Sequence, residues 1–255
     1  AAGAAWAHKH AGTDAVAVTY FGDGAVNIGS VLETMNLAAA WKLPLCFFIE
    51  NNRYAVSTTV EESTAETRLS ARGLAFNIPS WKVDGMDPLA VHLAMQEALA
   101  WMRAGKGPAV VEADVYRFFH QNGPFPGSAF GYRTKAEEQE WRARDPLALL
   151  AGRMQARGLL TADDAEALRQ RVKDAMAQAC AQLLEVDPLG KPGKRRIRPE
   201  LWPSPDFRDV GVRGDLRELQ GLRAEEAATF SGKTEPRKFV DVVADVMARR
   251  METDA

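Results

Sequence analysis

The sequence is poor in cysteine, in net charge and in long apolar runs. Only two cysteines occur among 255 residues, Cys46 in an apolar run and Cys180 in a helical one. They form no metal-binding or redox spacing, which excludes a disulfide scaffold. This fits a reducing compartment, cytoplasmic or, in a eukaryote, the mitochondrial matrix. A formal net charge of −2 gives no basis for nucleic acid or a membrane surface as the main partner. No apolar stretch approaches membrane-spanning length, and no signal peptide is recognisable. Repeats and low-complexity tracts are also lacking. What remains is an ordinary globular composition, 46% hydrophobic and 26% charged, long enough for one large or two modest domains. The pattern is already helical at Ala1, so the chain is expected to be a segment of a longer protein.

Two apolar runs carry the first structural signal. Residues Ala15 to Phe21 are β-rich and apolar on both faces, which predicts a central parallel strand. After two glycines, Ile28, Val31, Leu32, Met35 and Ala39 recur at helical spacing, and Leu45 to Ile49 predicts the next buried strand. Strand, helix and strand make one βαβ unit. A second follows, with a strand at Trp81 to Val83, a helix over Pro88 to Arg103 and a strand over Pro108 to Asp114. This alternation predicts an α/β fold, a mostly parallel sheet with helices on both faces.

Glycine, proline and aromatics rise between Arg117 and Arg133, marking an irregular functional loop. Helices are expected at Lys135 to Arg144, from Pro146, and from an N-cap at Thr161 to Leu184. Near Glu185 the composition turns proline-rich and basic, which predicts a linker over 185–236. A last apolar helix is expected over Lys238 to Arg250.

Where the two first strands stop stand Gly22-Asp23-Gly24 and Asn51-Asn52. Ligands of open α/β sheets gather at such strand ends. A carboxylate and a carboxamide there can grip one hard cation from two sides, and Mg²⁺ takes such oxygen ligands together with phosphate oxygens. The glycines allow a tight turn, and the helix after Ala25 is expected to offer free N–H groups to a diphosphate. Asp-Gly also signals a hairpin, but the residues that follow have helical rather than strand periodicity. An Asn pair can equally be a simple turn; it is the two motifs together that favour a ligand site.

The run from Tyr20 to Ala25, with Asn51 through Thr58, Val83 to Asp87, Tyr116-Arg117 and Gly131 to Thr134, resembles the alpha subunit of thiamine diphosphate-dependent 2-oxo acid dehydrogenases. The resemblance covers about residues 1–184 and implies a thiamine diphosphate-binding fold. It implies Asp23, Asn52 and the Tyr54 carbonyl as Mg²⁺ ligands, with Gly22, Gly24 and Ala25 against the diphosphate. His120 is the candidate for the family's catalytic, phosphate-contacting histidine. It lies one residue nearer Arg117 than the family pattern has it, in a longer loop, and a purely structural loop histidine is the alternative. The family's activating glutamate belongs to the beta subunit and has no match here.

The resemblance further implies a 2-oxo acid substrate, a beta-type subunit or domain, and a lipoyl acyltransferase as acyl acceptor. Residues 237–255 resemble the start of a beta-type domain, against the plain alternative of a C-terminal helix packing back. Ala55 to Thr58 leans toward branched-chain rather than pyruvate enzymes. An acetoin dehydrogenase alpha-type subunit, a transketolase-like transferase and a non-catalytic cofactor-fold module are the other readings.

Overall fold

The computed structural model describes residues 1–190, 192–201 and 237–253. The chain divides into two units, residues 1–180 and 181–255.

In the first unit the side-chain alternation of one strand organises the core. Strand β2 (Leu45–Asn51) follows α1 (Ala2–His10), β1 (Ala17–Gly22) and α2 (Gly29–Ala40). Leu45, Phe47 and Ile49 point to one face, into a cluster with Ala5, Val26, Met35, Ala38 and Leu69. Cys46 and Phe48 point to the other face. A strand buried on both faces is what an all-apolar run produces in a parallel sheet.

After the short hairpin β3 (Tyr54–Ala55) and β4 (Thr58–Thr59) come α3 (Val60–Ser63), a 3₁₀ helix over Leu69–Phe76 and β5 (Ser80–Asp84). Helix α4 (Pro88–Arg103) then leads to β6 (Ala109–Asp114). The sheet order is β1-β2-β6-β5, with every pair parallel. Helices α1 and α2 and the 69–76 helix cover one face, and Ala98 and Met102 of α4 cover the other. The α/β architecture expected from the alternation is therefore the one observed.

Two boundaries that bear on the site differ from the sequence expectations. The helix after Gly24 starts late: Asp23–Asn27 is a 3₁₀ turn, and α2 begins only at Gly29. Strand β2 runs two residues further than its apolar run, so Asn51 is its last residue and only Asn52 stands beyond it. Among the described residues β1 pairs with β2, and Tyr20 on it is 61% exposed.

Local capping fixes the helix starts. Asp87 accepts from the Leu89 N–H ahead of Pro88, and Thr134 accepts from the Glu137 N–H at the start of α5 (Lys135–Arg142). Helix α6 (Pro146–Ala156) is capped by Asp145, and Thr161 and Asp164 exchange hydrogen bonds before α7 (Ala162–Leu183). In the second unit, β7 (Leu184–Val186) pairs antiparallel with β8 (Arg195–Ile197), and Phe239–Thr253 forms α8. Much of the 185–236 linker, and the end of the 237–255 segment, lie outside the described residues. No helix of the described residues is long and apolar enough to cross a membrane.

Candidate functional site at the carboxyl ends of the strands

Parallel pairing places Gly22 beside Glu50, so Asp23 and Asn52 leave neighbouring strands at nearly the same height. The Asp23 side chain is turned inward and the residue is only 4% exposed. Burial raises its carboxyl above the ordinary 3.8, opposed by hydrogen bonding from the backbone of Asp23 and Asn52 and by the charges of Arg117 and Arg133. Asn52 is thus an immediate neighbour of the Asp23 carboxylate.

The loops are in contact as well. A Cβ on Gly24 would lie 2.7 Å from that of Ala55, so glycine is what lets the first loop reach the β3–β4 hairpin. Arg53 and Val56 take left-handed φ values of 67° and 58°. For a β-branched residue such as Val56 that conformation is strained.

The third loop, residues 115–134, folds over the first two. Its root is fixed by the Val115 N–H donating to the Asn51 carbonyl at 2.9 Å. Tyr116 is buried and stacks on Trp141 at 5.3 Å. Its far end returns as Arg133, which is 2% exposed. The Arg133 guanidinium lies 4.5 Å from the ring centres of both Tyr54 and Tyr116. It donates to the Arg117 carbonyl at 2.7 Å and to the main-chain and side-chain oxygens of Asn52 at 3.1 and 3.2 Å. A carboxamide oxygen has two lone pairs, so Asn52 Oδ1 keeps one for a second partner. Among the described residues, the buried Nε atoms of Arg117 and Arg133 and the buried Tyr116 hydroxyl have no hydrogen-bond partner.

His120 sits within this loop rather than at the Asp23 tip. It is buried, its backbone N–H donates to Phe125, and its ring lies 4.2 Å from that of Phe130. Nδ1 accepts the Asn122 N–H at 3.2 Å, so in the neutral tautomer the proton is on Nε2, a donor. Tyr132, 6.1 Å from His120 and 5.5 Å from Tyr54, links the histidine to the Asn52 loop. Beside Asn52 and Tyr54 opens a cleft of about 520 Å³, lined also by Tyr116, Glu137, Trp141 and Arg144.

Of the sequence candidates, Gly22 closes β1 with Asp23, Gly24 and Ala25 after it, Asn52 and Tyr54 stand at the start of the adjoining hairpin, and the His120 ring lies in the third loop, 6.1 Å from that of Tyr132. The sequence reading placed no site role on Arg133, Arg117, Asn51 or Glu112. Asn51 Nδ2 donates to the fully buried Glu112 carboxylate at 2.9 Å. A lone acid inside the apolar run of β6 was the visible signal for that pair.

An Asp carboxylate, an Asn carboxamide and a carbonyl are hard oxygen donors of the kind Mg²⁺ takes, and unpartnered arginine N–H groups nearby suit phosphate. The residues present fit a metal–diphosphate group, and the fold and loops define a cofactor-binding α/β unit.

Residues 1–187 match the family model of the dehydrogenase E1 component. The chain is 41% identical over 187 residues to the pyruvate dehydrogenase E1 component subunit alpha of Rhizobium meliloti, covering 73% of this chain and 53% of that protein. It is 42% identical over 178 residues to the corresponding subunit of Zymomonas mobilis, covering 68% of this chain and 49% of that one. The somatic mitochondrial form of Sus scrofa is 42% identical over 188 residues, 73% of this chain and 47% of that protein. The chain thus spans about half the length of the curated relatives it matches. It belongs to the dehydrogenase E1 component family, whose members depend on thiamine diphosphate.

Proposed function

We propose that the full-length protein carries out oxidative decarboxylation of a short 2-oxo acid with thiamine diphosphate and Mg²⁺, passing the acyl group to a lipoyl acyltransferase. Asp23, Asn52 and the Tyr54 carbonyl hold the metal. Gly22, Gly24 and Ala25 let the diphosphate approach the backbone, and Arg117 and Arg133 neutralise its charge. His120 donates from Nε2 to a phosphate oxygen. When bound, thiamine diphosphate supplies the electron sink needed for loss of CO₂. The chain's own residues bind, orient and neutralise; the activating carboxylate comes from a beta-type subunit or domain, in a reducing cytoplasmic or matrix compartment.

The observation that carries this reading is the buried Asp23 carboxyl facing the Asn52 loop, with two arginines beside it. Pyruvate is the favoured substrate, because the relatives cited carry that name; the lean of Ala55 to Thr58 toward branched chains is a weaker argument. The test is product analysis of the full-length protein with its beta-type partner and an artificial electron acceptor. Pyruvate, a branched 2-oxo acid, acetoin and a ketose phosphate are supplied in parallel. CO₂ release from pyruvate supports the proposal; turnover of acetoin or ketol transfer alone overturns it.

A further inference from the structure

Glu112 has no part in the chemistry above, yet among the described residues it is the most completely buried acid, 0% exposed. It lies in the middle of β6, where Val110, Val111 and Ala113 around it are all apolar and buried. An ionised carboxylate is costly there unless every acceptor site is used. Here both oxygens have partners. Oε1 accepts from Asn51 Nδ2 at 2.9 Å, Oε2 accepts the Ser70 backbone N–H at 2.7 Å, and Lys82 Nζ, directly across on β5, stands 3.4 Å away. These partners outweigh burial and hold the carboxyl below its ordinary value.

We propose that Glu112 is a positioning residue for the metal-binding loop, acting through Asn51. A carboxylate only accepts hydrogen bonds, so the Asn51 amide has one allowed orientation, NH₂ toward Glu112 and oxygen away from it. That oxygen accepts the Arg53 N–H at 3.1 Å and closes the turn across Asn52. The left-handed φ of 67° at Arg53 is part of the same turn. One buried charge thereby fixes the amide, the amide fixes the turn, and the turn aims the Asn52 side chain and the Tyr54 carbonyl. Groups behind metal ligands typically change affinity about 10–100-fold when altered.

The inference rests on the proposed metal site, and polarity provides its test. In Glu112→Gln the Ser70 N–H still requires an oxygen, so the new amide turns its NH₂ to Asn51. Asn51 must then flip and present its own NH₂ to the Arg53 N–H, donor against donor. In the double variant, Asn51→Asp with Glu112→Gln, the bond between positions 51 and 112 returns with reversed polarity, the Ser70 and Arg53 N–H groups each keep an oxygen, and only the Lys82 contact is lost. The introduced glutamine donates its NH₂ to one oxygen of the introduced aspartate, and the other oxygen of that aspartate accepts the Arg53 N–H.

The measurement is the Mg²⁺ concentration that half-saturates thiamine diphosphate binding by the full-length protein, followed calorimetrically, with thermal midpoints recorded alongside. Glu112→Gln is expected to raise it by about tenfold or more, and the double variant to return it to within about threefold of wild type. An unchanged Mg²⁺ requirement in Glu112→Gln, or a double variant as weak as the single one, overturns the inference. Should Glu112→Gln not fold, the double variant decides alone: a wild-type requirement supports the inference, and a weakened one or failure to fold overturns it. A wild-type protein that binds thiamine diphosphate without regard to Mg²⁺ removes the metal site itself, and the positioning role with it.

Discussion

Arg133 joins what the chain separates: it bonds Asn52 across 81 positions of sequence and lies among three tyrosine rings. Its planar, forked head makes these contacts together, and a lysine ammonium cannot reproduce them. Arg133→Lys is expected to cost about 2–4 kcal/mol in denaturant unfolding, since buried acceptors and ring faces lose their partner. Asp23 behaves oppositely. Its carboxyl is raised by burial, so the stability tied to its protonated form is complete below the ordinary 3.8 and is lost as pH rises through the raised folded value. In metal-free protein, Asp23→Asn is therefore expected to raise the thermal midpoint at neutral pH, by about 2–4 °C for each kcal/mol of relieved desolvation. The gain should shrink toward pH 4 in the same melting series. Cys46 is buried and its thiol is pushed up to about 12, whereas Cys180 is half-buried. A native thiol titration is expected to find Cys180 and to reach Cys46 only in denaturant.

At the scale of elements, the site is three loop tips held by close approach. Gly24→Ala would set a methyl 2.7 Å from Ala55 and push the first loop off the hairpin. Val56, 44% exposed and left-handed, is the strained residue of that hairpin. Val56→Asn is expected to add about 1 kcal/mol of stability by thermal melting, because Asn tolerates this conformation far better. Much of this architecture was legible in the sequence. The span Pro88 to Arg103 shows helical periodicity between an Asp-Pro cap and a basic end, and it is the helix observed. Asp23 and Asn52 were legible because each ends an apolar run. The late start of α2 was not, since apolar spacing from Ile28 does not distinguish a 3₁₀ turn from the first turn of an α-helix. Nor was Arg133, because no local pattern records a contact between residues so distant in sequence.

At the scale of the molecule, the first unit is a doubly covered parallel sheet whose strand ends carry the chemistry-bearing residues. The motifs of the first 184 residues made the family legible, and the family match over residues 1–187 agrees. Helix α7 has no buried residue, with Leu168, Val172 and Met176 all exposed on it. Its apolar residues could be read as helical from the sequence, but what packs on them could not, since periodicity marks a face and not a partner. The central claim is that oxygens from two adjoining loops share one Mg²⁺ and so anchor a diphosphate. Its most direct test is calorimetric titration of thiamine diphosphate into the full-length protein and its Asp23→Ala variant, with Mg²⁺ and with EDTA. The account predicts saturable binding only for the wild type with Mg²⁺; equal affinity in the variant or in EDTA would contradict it.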